Sequence, residues 1–108
     1  MIERFNKIPI PIPTQTSGLK AGGLITEVTL NSATWTALPA TALANRNGLG
    51  VQNQANREVK VNFDAGAVGF IGWSIPANGE LFLDVSDNVV VYAKTDSGTA
   101  TVTVMEVA

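Results

Sequence analysis

The stretch Thr99-Ala100-Thr101-Val102-Thr103-Val104-Met105-Glu106-Val107 decides the fold class. Val102 and Val104 alternate with Thr101 and Thr103, and a period of two is that of a strand with one buried face. Two other stretches repeat the pattern. Val59, Val61 and Phe63 alternate with Lys60, Asn62 and Asp64, and Leu81, Leu83 and Val85 alternate with Glu80, Phe82 and Asp84. Working outward, strands are predicted over 25–30, 34–38, 48–53, 58–64, 68–75, 80–85, 89–94 and 99–107. Val, Thr and Ile, which suit a pleated half-buried surface, dominate them. Between them lie turn signals: Gln54-Ala55-Asn56-Arg57, Pro76-Ala77-Asn78-Gly79 with an Asn-Gly pair suited to positive φ, and Asp96-Ser97-Gly98. Residues 39–47 read as a loop, because Pro39 opposes a helical turn there. About eight short antiparallel strands at this spacing predict an all-β fold, a single jelly-roll-like β-sandwich.

Upstream the composition changes. Residues 1–23 form an extended Pro/Gly-rich arm and residues 24–108 the β-sandwich domain. In Ile8-Pro9-Ile10-Pro11-Ile12-Pro13 every second φ is fixed and every second backbone donor is missing. Such a run is neither a helix nor a central strand. Gly22-Gly23 reads as the hinge into the body. Ile8, Ile10 and Ile12 are branched apolar side chains that a free tail has no use for, so the arm is expected to lie against a surface of its own subunit or of a neighbour.

Composition then narrows the chemistry. The chain has 108 residues, 45% of them apolar and 15% charged, enough for one core and too apolar for a disordered segment. Its net charge of −2 gives no field that attracts phosphate, so no nucleic-acid partner is expected. No apolar run reaches the ~18 residues of a membrane span and none of signal-peptide length follows Met1, so neither a membrane partner nor secretory export is expected. Cysteine and histidine are both absent. That removes thiolate nucleophiles, zinc–thiolate sites and the usual general base near neutral pH. Ser17, Ser32, Ser74, Ser86 and Ser97 have no activating partner. Gly48-Leu49-Gly50 lacks the third glycine and the βαβ setting of a dinucleotide fingerprint. Asp84, Asp87 and Asn88 cluster around a turn without the ligand spacing of a calcium loop. No catalytic residue, cofactor or metal is expected, and the chain is read as a non-enzyme.

The apolar residues are the more informative ones. On 68–75 and 89–94 apolar side chains point to both faces, with Val90 and Tyr92 facing away from Val89, Val91 and Ala93. A two-layer sandwich buries one face of each sheet, so the second face needs a cover: the arm, another subunit or a partner. Among the aromatics, Phe82 is expected to face outward and Trp35 to be partly exposed, with Phe63 and Trp73 in the core.

The run Trp35-Thr36-Ala37-Leu38-Pro39-Ala40-Thr41, then Ala44-Asn45-Arg46-Asn47-Gly48-Leu49 and Val51-Gln52-Asn53, resembles small virion proteins of tailed bacteriophages. So do Gly79-Glu80, Val91-Tyr92-Ala93-Lys94 and Val102-Thr103-Val104-Met105-Glu106. The likeness covers about residues 25–108 and leaves out the arm. It implies a capsid decoration or cement subunit, homodimeric or homotrimeric, attached to the major capsid protein on the outer surface of the head and made in the bacterial host cytoplasm. Similar stretches occur in phage tail and fibre components, which implies the alternative of a host-glycan recognition module. Within the motif Asn45 and Arg46 are loop anchors. Arg46 either pairs with a carbonyl or carboxylate of a neighbour or braces the loop against its own domain. The expected partner-binding residues are Ile8, Ile10, Ile12, Arg46, Phe82, Val90 and Tyr92.

Overall fold

The structure is a computed structural model and describes residues 22–108. The arm residues Ile8, Ile10 and Ile12, and with them the expectation of a docked arm, lie outside the described residues. The rest is all-β: β1 (Gly23–Asn31), β2 (Thr36–Ala37), β3 (Gly48–Asn53), β4 (Val59–Asn62), β5 (Trp73–Ile75), β6 (Glu80–Leu83), β7 (Tyr92–Thr95) and β8 (Thr99–Val107). They form two four-stranded antiparallel sheets, ordered β1-β8-β3-β6 and β2-β7-β4-β5. β1 begins at Gly23, inside the stretch that reads as arm, because Gly23 completes the ladder opposite Val107.

Alternation sets which side chains meet. The inner rows of the first sheet run Thr26–Val104–Val51–Leu81 and Val28–Val102–Asn53. Those of the second place Val59 beside Ile75 and Val61 beside Ala93. Both sheets feed one core, in which Leu30, Leu49, Val102 and Val104 meet Leu38, Val59, Ile75 and Val91. Each fully buried side chain of this size contributes roughly 1.5–3 kcal/mol.

Three expectations fail for local reasons. Phe63 is 60% exposed rather than in the core. β4 stops at Asn62, whose Oδ1 accepts the Asp64 N–H at 3.1 Å and whose Nδ2 donates to the Ile71 carbonyl at 2.8 Å, so the chain turns away first. Trp73 is 70% exposed. It stands opposite Val61 on the core side of the ladder, but β5 is the last strand of its sheet, and among the described residues no further strand lies beyond it to close over the ring. Trp35, expected to be partly exposed, is buried instead.

Turns follow their chemistry. In Pro76-Ala77-Asn78-Gly79 the Gly79 N–H donates to the Pro76 carbonyl at 2.8 Å, and Asn78 takes φ 61°. Gly98, at φ 61°, turns the chain from β7 in one sheet to β8 in the other. Asn53, fully buried, ties the β3–β4 turn down. Its Nδ2 lies 2.9–3.1 Å from the carbonyls of Arg57, Ile75 and Pro76, and its Oδ1 accepts the Ala55 N–H at 3.1 Å. Two amide protons are thus shared among three carbonyls. Asn53→Ala strands these groups, and urea unfolding should record a loss of about 2–3 kcal/mol. A change within experimental scatter would contradict this role for Asn53.

Candidate interaction surface

The ladder register assigns the loops to two ends. β2, β4, β6 and β8 finish, and β1, β3, β5 and β7 begin, at one end, which therefore holds Gly22, Ala108 and the links 38–47, 63–72 and 84–91. The opposite end holds the links 32–35, 54–58, 76–79 and 96–98. These differ in kind. Among the described residues, none of the large exposed apolar side chains lies in the second set of links. Phe63, Val68, Ile71, Val89 and Val90 lie in the first, with Trp73 directly after it.

Link 63–72 is a strap. Trp35 Nε1 donates to the Ala67 carbonyl at 3.0 Å, and Lys94 Nζ donates to the Gly69 carbonyl at 3.0 Å. Lys60 Nζ stands 4.9 Å from the centre of the Phe70 ring, and Lys94 Nζ stands 5.5 Å from that of Trp35. Lys60 and Lys94 are paired in the ladder, on the face opposite Val61 and Ala93. The strap therefore crosses the outer face of the second sheet, from β2 over β7 and β4 to β5. This corrects the sequence expectation in two ways. Residues 68–72 are not part of a strand, and for this sheet the cover of the second face is the chain's own loop. Gly69 takes φ 68°, and a Cβ on Gly72 would lie 2.4 Å from the Val61 carbonyl oxygen, so glycine lets the strap lie this close. Tyr92 sits on this outer face beside Asn62 and is half-buried. Val68, Ile71 and Phe63 remain in solvent.

Link 84–91 is held from inside. The inner row Leu24–Glu106–Leu49–Leu83 places Glu106 among leucines, with its carboxylate fully buried. Arg46, 3% exposed, meets it end-on, Nη1 to Oε2 at 2.9 Å. Arg46 Nη2 donates to the carbonyls of Ser86 at 2.8 Å and Val89 at 2.6 Å. Glu106 Oε2 also accepts the Leu43 N–H at 2.9 Å. Among the described residues Arg46 Nε and Glu106 Oε1 find no partner, so the contact is one-pronged. Asp87 accepts the Asn45 N–H at 2.8 Å, and Asn45 takes φ 61°. Of the alternatives open in the sequence, Arg46 takes the bracing one. Both of its Nη nitrogens donate within its own chain, and the side chain is buried. The same contacts hold Val89 and Val90 out of β7, which starts only at Tyr92, and leave both exposed.

The outer face of the first sheet carries a second apolar feature. Ile25, Met105, Gly50 and Phe82 form one row across all four strands. Phe82 lies over glycines: a Cβ on Gly48 would sit 2.8 Å from its Cζ, and one on Gly50 3.2 Å from its Cδ1. The result is a groove of about 310 Å³ lined by Ile25, Gly50, Gln52, Phe82, Thr103 and Met105. The next row, Glu27–Thr103–Gln52–Glu80, is polar.

No group of three acidic or other metal-binding side chains comes together among the described residues. Comparison with protein-family models, with curated proteins and with solved structures finds no match for this chain. What the surface offers chemically is apolar contact and aromatic faces.

Of the residues expected at a partner surface, Phe82 lies in the groove and Val90 at the apolar end. Glu106 and the strap residues Val68 and Ile71 are not among those expected. Glu106 was legible, because it continues the inward series Ala100, Val102 and Val104. Removing either member of the ion pair, Arg46→Ala or Glu106→Ala, should cost roughly 3–5 kcal/mol by stranding a buried charge. The double variant should lose less than the sum in a double-mutant cycle read by urea unfolding. Additive losses would contradict the pairing.

Proposed function

We propose that this protein is a structural subunit of a tailed-phage virion, which decorates and cements the capsid from outside by binding the major capsid protein and neighbouring copies of itself. The strands pair 1–8, 2–7, 3–6 and 4–5. That nesting is what a long hairpin gives when it is rolled into a β-sandwich of the jelly-roll kind, an architecture used by viral capsid and lectin domains. The sequence likeness to decoration subunits points the same way.

The observation that carries the proposal is the apolar end. Val68, Ile71, Trp73, Val89 and Val90 stay in solvent on a domain whose core is already closed without them. Exposed apolar side chains gathered at one end of a small protein point to a contact surface. The work required is passive. A modest contact repeated over a symmetric shell gains strength by multivalency, and binding only to the assembled shell stabilises that state by mass action. In this reading the protein is not an enzyme, works on the outer capsid surface as a homodimer or homotrimer, and has neither a nucleic-acid nor a membrane partner.

The exposed aromatic rings of Phe63 and Trp73 favour the second reading, a host-glycan recognition module of a head or tail fibre. Imaging of purified particles separates the two. A regular lattice of copies on the head is expected, with occupancy falling about tenfold or more for the Ile71→Ser/Trp73→Ser variant. Copies confined to the tail, with glycan binding lost in Trp73→Ala, would overturn the decoration reading.

A further inference from the structure

We propose that Arg46 and Glu106 are positioning residues for Val89 and Val90. The buried pair sets where this part of the apolar end stands; an apolar pair in its place would hold the fold equally well but not the loop. The placement of the loop does not rest on the virion reading, whereas its use on a head does.

The pair is poorly arranged as a source of stability. Taking two charges out of water is costly, and their attraction offsets that cost only where the remaining polar atoms are satisfied. Here a single contact joins them, Arg46 Nη1 to Glu106 Oε2 at 2.9 Å. Among the described residues Arg46 Nε and Glu106 Oε1 find no partner. A two-pronged contact would be the stronger one. The surroundings suit an apolar side chain instead. Glu106 shares its inner row with Leu24, Leu49 and Leu83, so a leucine there would continue the core.

An apolar side chain could not hold the turn Ser86-Asp87-Asn88-Val89. The Val89 N–H donates to the Ser86 carbonyl at 3.2 Å, which closes the turn. Arg46 Nη2 donates to the carbonyls at both ends of it, at 2.8 Å to Ser86 and 2.6 Å to Val89. With Nη1 on the carboxylate, one rigid fork ties the turn to the end of β8. Arg46 is itself fixed, because its N–H donates to the Leu43 carbonyl at 3.1 Å and the Leu43 N–H donates to Glu106 Oε2 at 2.9 Å.

Val89 and Val90 lie between two other fixed points. Asp87 accepts the Asn45 N–H at 2.8 Å, and the buried Val91 accepts the Leu38 N–H at 2.8 Å. Between Asp87 and Val91, among the described residues, the one hydrogen bond from elsewhere in the chain is that of Arg46 to the Val89 carbonyl. Both valine side chains are exposed, so packing holds them little.

The test uses the full chain with the pair replaced by Arg46→Met/Glu106→Leu and, as a second packing, Arg46→Leu/Glu106→Met. In at least one of them the urea midpoint should be no lower than in the unsubstituted protein. In that variant the backbone order parameters of Asn88, Val89 and Val90 should fall from ~0.85 to below about 0.6, while those of β3 and β8 hold. Its occupancy on purified heads should drop about tenfold. If both variants fail to fold or unfold at lower urea, the pair is a stability element and the proposal is overturned. Unchanged order parameters in a stable variant would overturn it as well. Full occupancy of heads by a loosened variant would overturn the attachment role. Absence of the unsubstituted protein from heads would instead overturn the virion reading and leave the result on the loop standing.

Discussion

A carboxylate occupies a position that the alternation of β8 reserves for an apolar side chain. Ala100, Val102 and Val104 point into the core, and Glu106 follows them on the same side. A buried carboxylate without a cation is far too costly to keep. Arg46 must therefore come in from link 38–47, and once there it binds the carbonyls of Ser86 and Val89. One buried charge thus fixes the relative position of β8 and two loops. The exposed Val89 and Val90 follow from it, because their backbone is held outside β7.

The two sheets solve the problem of their outer faces differently. On the second sheet the strap is drawn across by Trp35, Lys60, Asn62 and Lys94, and each of these contacts comes from a side chain facing away from the core. On the first sheet, beyond the polar row of Glu27, Thr103, Gln52 and Glu80, lies the apolar row of Ile25, Met105 and Phe82, next to where the arm joins the body. Apolar surface that a closed core does not need is thereby gathered at one end and one face, and the opposite end is left to polar turns. In the proposed reading, the apolar end is the side for attachment and the polar end faces water.

Much of the fold was legible because period two is a strong signal. The bounds of β3 and β8 agree with those read from the sequence, as does the positive φ in Pro76-Ala77-Asn78-Gly79. β5 and β7 came out shorter than expected. An apolar run such as Val68-Gly69-Phe70-Ile71 reads equally well as a buried strand or as an exposed loop that carries contacts, and local pattern cannot separate the two. The places of Trp35 and Trp73 were interchanged for a related reason. Alternation assigns a face, but whether a strand is central or at an edge depends on sheet order, which arises from long-range pairing. Arg46 was legible as an anchor from its place in a loop motif. Its partner Glu106 required the inward series of β8 to be carried one step further.

The central claim is that the end built around Arg46 and Glu106 is the attachment surface. Hydroxyl-radical footprinting of the protein, free and bound to heads, tests it most directly. Strong protection of Phe63, Ile71, Trp73, Val89 and Val90 on binding, with Pro76 unchanged, is the predicted result. Protection at the Pro76-Ala77-Asn78-Gly79 turn, with the apolar end still reactive, would contradict it.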